Sequence, residues 1–84
     1  MIPMTSNALK NNGMEILVFK TNLYNARCIS DVETALNFHP LIFRWNVDLN
    51  DSDNILRVVS SSLTGTEVEH LLLQEGYYCE ELAD

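Results

Sequence analysis

Apolar and polar positions divide the chain into segments of two different periods. Glu15 to Thr21 (EILVFKT) is almost continuously apolar and rich in Ile, Val and Phe, the pattern of a strand inside a sheet. Asn22 to Arg27 reads as a polar loop. From Cys28 the spacing changes: Ile29, Val32 and Leu36 recur three and four apart, with Cys28, Val32 and Ala35 on nearly the same side, which predicts a helix with one apolar face. His39-Pro40 ends it, because proline disfavours helical geometry in the residue before it. Phe43, Trp45, Val47 and Leu49 then alternate with Arg44, Asn46 and Asp48, a period of two that predicts a strand with its apolar set on one face.

Asn50 to Asn54 (NDSDN) consists of residues whose short side chains bond to nearby backbone, so it predicts a hairpin turn into a third strand, Ile55 to Ser60, with Leu56 and Val58 inward and Arg57 outward. Thr64-Gly-Thr-Glu67 fits a capping box, and Val68, Leu71 and Leu72 follow at helical spacing until Gly76 supplies a stop. Tyr77 to Leu82 completes the pattern as a short strand that Glu80 and Glu81 mark as an edge. The order βαββαβ predicts an α+β, ferredoxin-like sandwich: an antiparallel sheet with both helices on one face. Right-handed crossovers place the first and third strands at its centre. Residues 1–13 show no sustained periodicity and read as a flexible N-terminal tail, leaving 14–84 as the domain.

Composition narrows the function. Eighty-four residues make one domain, and a chain this short buries only about 60% of its unfolded surface, so most apolar side chains are needed for folding. Twelve acids against five Lys and Arg give a net charge of -7, which sets the chain against nucleic-acid and anionic-membrane binding. The N-terminus lacks the apolar run of a secretory signal, and Ile16 to Phe19 falls far short of the about 20 residues that span a bilayer; a cytoplasmic location is expected. A reducing compartment keeps Cys28 and Cys79 as free thiols.

The loop-helix junction and the exit of the first helix carry a resemblance. Val32-Glu33, Ala35-Leu36 and Pro40 follow Cys28 in register, Ile42, Trp45, Val47, Asp48 and Leu49 run along the next strand, and the chain closes with Gly76-Tyr77-Tyr78-Cys79-Glu80-Glu81-Leu82. Over roughly residues 14–82 this resembles the heavy-metal-associated domains of small metallochaperones and metal-pumping ATPases. The resemblance puts Cys28 at the second cysteine of the family's Met-x-Cys-x-x-Cys loop. It puts Asn25 at the first cysteine and Leu23 at the loop methionine. The motif is thus degenerate, Asn25-Ala26-Arg27-Cys28. Soft Cu(I) prefers thiolate sulfur, and Asn offers a hard amide oxygen instead. Arg27 favours a Cys28 thiolate yet repels a cation.

The reading favoured is a non-catalytic interaction or regulatory module that has lost the two-cysteine site, with no resident cofactor and with a protein partner or self-association, a homodimer included. The alternative is a soft-metal, Cu(I)-type trafficking protein that keeps Cys28 as ligand, shared across a dimer, with Tyr77 placed nearby by the resemblance. A third reading, thiol chemistry at Cys28, requires a depressed pKa. Cys79 reads as an inert core thiol, and His39 and His70 as surface or helix-end residues without ligand spacing. Phe43 and Trp45 read as core, with a strand-edge interface as the other option, and the acidic segment from Glu67 to Asp84 as a solvated face or a surface that steers a basic partner. There are only three glycines, no phosphate loop, and no nucleophile close to a histidine, so an enzyme is not expected.

Overall fold

A computed structural model describes residues 14–82. The tail expected over residues 1–13 lies outside them. In chain order the elements are β1 (Met14–Thr21), α1 (Ala26–Asn37), β2 (Ile42–Asp48), β3 (Ile55–Ser61), α2 (Gly65–Gln74) and β4 (Cys79–Glu81). They build one antiparallel sheet of order β2-β3-β1-β4, so the first and third strands are central and β4 is an edge, the α+β ferredoxin-like arrangement that the pattern predicts.

Register sorts the side chains. Leu17 lies opposite Val58 and Phe19 opposite Leu56, and on the other side of β3 Trp45 and Val47 meet the same two residues. These positions share one face of the sheet. Phe19, Leu56 and Val58 are fully buried there against Cys28, Val32 and Leu36 of α1 and Val68 and Leu72 of α2, with Trp45 and Val47 packed at the margin. Each large apolar side chain sealed in this way contributes roughly 1.5–3 kcal/mol. Trp45 is only half-buried, and its indole N–H donates to Asn37 Oδ1 at 2.8 Å, tying β2 to the end of α1.

The alternation expected along β2 breaks at its start. Ile42 pairs with Ser60 but Arg44 with Val59, so Phe43 is an extra residue in a β-bulge. Ile42 takes the core position and Phe43 stands 55% exposed, which corrects its assignment to the core face. Leu49, expected on that face as well, lies beyond the strand and is exposed.

Both helix ends follow local chemistry. Thr64 and Glu67 form the full capping box: Thr64 Oγ1 accepts from the Glu67 N–H at 3.2 Å, and the Thr64 N–H donates to Glu67 Oε1 at 2.9 Å. The Thr64 N–H, and after it the Thr64 hydroxyl, which donates to the same Oε1 at 3.0 Å, hold the Glu67 carboxyl below its ordinary pKa. At the far end Gly76 takes φ +90°; its N–H donates to the Leu73 carbonyl and that of Tyr77 to the Leu72 carbonyl, both at 2.9 Å. The left-handed turn closes α2 and aims Tyr77 back at the core.

Candidate functional site

Three side chains singled out by the sequence, Asn25, Cys28 and Tyr77, meet at the N-terminus of α1. The loop leading there is fixed from both sides. Leu23, at the resemblance's methionine position, is fully buried, and its N–H donates to Thr21 Oγ1 at 3.1 Å. Asn22 Oδ1 accepts from the Tyr78 N–H at 2.8 Å, which joins this loop to the one before β4.

The helix begins two residues earlier than its apolar spacing suggests, at Ala26. Asn25 is its N-cap, with extended backbone (φ -155°, ψ 173°) and Oδ1 accepting from the Cys28 N–H at 2.9 Å. A helix N-terminus has four N–H groups without intrahelical partners, and a capping side chain satisfies one of them. Asn is among the best caps, so the signal is present in the sequence; it is obscured because Ala26 and Arg27 carry no apolar periodicity.

Cys28, in the first turn of α1, is 5% exposed and packs within the core. The Tyr77 ring packs against this core, and its hydroxyl donates to Asp31 Oδ2 at 2.6 Å, with the Cys28 thiol beside it. The Asp31 carboxylate, and secondarily Cys28, hold the phenol proton above its ordinary pKa. Tyr77 thus lies beside Cys28, while Asp31, which fixes the ring, escapes sequence reasoning. It lies 46 residues from Tyr77 on an exposed helix face, and nothing local marks the pair.

Cys79, read from the sequence as an inert core thiol, is half-buried on β4 and packs at the core margin; burial first, then Glu69 and Glu81, push its thiol up to about 12. Both cysteines are free. His39, in the loop between α1 and β2, and His70, on α2, border one open hollow of about 430 Å³ with Glu67, and His39 Nδ1 is occupied by the Leu41 N–H at 3.1 Å. Among the described residues no group of three or more His, Cys, Asp or Glu side chains is placed to hold a metal ion, and no helix is long and apolar enough to cross a membrane.

No protein-family model matches the sequence, and no curated protein matches it either. Solved structures match in fold. The HMA domain of a copper chaperone for superoxide dismutase, in its apo form, aligns with a TM-score of 0.70 over 83% of this chain and 68% of that one, at 21% identity. A yeast copper transporter domain, solved in apo and Cu(I)-loaded states, aligns at 0.69 over 82% and 96%, with 17% identity. A copper-binding domain from a P-type ATPase aligns at 0.69 over 81% and 93%, with 22% identity. The chain has the fold of heavy-metal-associated domains, as its motifs suggested.

Proposed function

We propose that the chain is a non-catalytic interaction or regulatory module, acting in the cytoplasm, in which a helix cap stands where a heavy-metal-associated domain carries a metal-binding thiol. The observation that carries this reading is the Asn25 Oδ1 bond to the Cys28 N–H. The oxygen that would have to serve as second ligand is hard and already engaged. Turning it to a metal gives up a cap worth about 1 kcal/mol and offers Cu(I) the wrong donor. Cys28 alone remains, nearly sealed from solvent beside Tyr77. The donor set therefore does not fit Cu(I) within a single chain.

Anaerobic Cu(I) titration of the reduced protein against a competing chelator, with mass followed by light scattering, tests this. The expected result is no uptake. A tight complex of one copper per monomer overturns the reading. Saturation at one copper per two chains with doubled mass, lost in Cys28→Ser but kept in Cys79→Ser, makes Cys28 a shared ligand and establishes the trafficking function instead.

A further inference from the structure

We propose that the face of the sheet turned away from the helices docks an acidic segment of a protein partner, its carboxylates on Arg44 and Arg57 and an apolar side chain over Ile16 and Val59. This names the partner class for the interaction role proposed above and rests on that reading.

The strand register defines this face. Residues opposite in phase to the core positions include Ile16, Val18 and Lys20 on β1, Arg57 and Val59 on β3, and Arg44, Asn46 and Asp48 on β2. Ile16 is opposite Val59, which is opposite Arg44, so an apolar pair ends in a guanidinium. Arg57 stands between Val18 and Asn46, one diagonal step from Arg44. Cross-strand diagonals set Cα atoms about 7–8 Å apart, within the span of two carboxylates on one short segment. Ile16 is 66% exposed, while Val18 and Val59 are half-buried.

Charge identifies the occupant. In a chain of net charge -7, three of the four cations among the described residues, Lys20, Arg44 and Arg57, share this face. The acids on it are partly engaged. Glu80 is the cross-strand partner of Lys20 and accepts from the Tyr78 hydroxyl, and Asp48 Oδ1 accepts from the Asn50 N–H at 3.0 Å. Neither arginine has an acid directly opposite; Asp48 stands only on the diagonal from Arg57. Arginines without facing carboxylates beside exposed aliphatic surface suit a partner bringing both acid and apolar groups, because bidentate guanidinium–carboxylate contacts add geometric selectivity. A second copy laid face to face would bring more arginines, and the acids it could offer them, Asp48 and Glu80, already accept hydrogen bonds within their own chain. Nucleic acid is disfavoured by the overall charge, and the central strands offer no aromatic ring on this face for a base to stack on.

A random dodecapeptide display library selected on the immobilised domain tests this, with enriched peptides synthesised and titrated by NMR. The expected peptides carry two or more Asp or Glu beside an apolar residue and shift the amides of Ile16, Arg57 and Val59. R44Q/R57Q should weaken them at least tenfold. S30E/T34E, which changes net charge equally on an exposed flank of α1, should weaken them less than threefold. Circular dichroism checks that each variant is folded. Enrichment of non-acidic peptides, shifts confined to the helices, face-to-face dimerisation, or tighter binding of an oligothymidine each overturns the assignment. Peptides landing on the helices would remove this face while leaving the interaction role standing, whereas absence of enrichment removes the face and copper uptake by the monomer removes the role.

Discussion

Replacing Asn25 isolates the side-chain bond that caps α1. In Asn25→Ala the extended backbone at φ -155° is open to alanine without strain, and the Ile29 N–H to Asn25 carbonyl bond at 3.2 Å does not involve the side chain. What disappears is the single side-chain bond to the Cys28 N–H. That donor lies at a partly buried site, so water replaces the lost acceptor incompletely, and the loss should fall near the middle of the range for such caps, about 1 kcal/mol. For a domain of this size that is a drop of roughly 4–8 °C in Tm. Urea unfolding followed by Trp45 fluorescence should show a lower midpoint with unchanged slope, the mark of altered stability without altered denatured-state compactness. Asn25→Asp keeps the acceptor and adds a negative charge at the positive end of the helix, so it should match or exceed the wild type. A loss below about 0.3 kcal/mol in Asn25→Ala, or an equal loss in Asn25→Asp, would refute the capping argument, since the oxygen would then contribute nothing through its bond.

Alkaline unfolding provides a second test. The Cys79 thiol is raised from 9.0 to about 12 in the folded protein, chiefly by burial, so between those values the unfolded chain binds fewer protons and rising pH favours it. The stabilising contribution is complete below 9 and is lost towards 12; urea midpoints should fall across this window, less steeply in Cys79→Ala, and equal slopes would refute the assignment. Tyr77 and Tyr78, raised from an ordinary 10.0, act in the same direction from pH 10 upward and persist in that variant. The two helix-end glycines should respond differently to alanine. Gly76→Ala forces φ +90° on an L side chain and should lose about 1–2 kcal/mol although nothing crowds the new methyl. In Gly65→Ala the methyl would meet a carboxylate oxygen of Glu81, the free end of a flexible side chain that can swing away, so stability should stay within about 0.5 kcal/mol. Thermal melts reversing that order would contradict both arguments.

What the sequence could show was governed by short-range rules. The capping box of α2 closes over four residues, the stop at Gly76 needs one residue tolerant of positive φ, and Leu56 and Val58 turn inward by simple alternation. Phe43 escaped because a bulge is a property of two paired strands: only the partner's register, Ile42 to Ser60 and then Arg44 to Val59, shows that a residue is left over. The bond between Tyr77 and Asp31 escaped for a like reason, since it joins two distant positions across the fold.

The amino-acid order by itself determined the βαββαβ succession and the two-period core, because each is set by neighbours within a turn or a strand. Tertiary structure decided the rest. It laid Tyr77 beside Cys28 and gathered Lys20, Arg44 and Arg57 onto the sheet face turned away from the helices. These features depend on which strands pair and which sheet face the helices cover, and that outcome belongs to the packing of the whole chain.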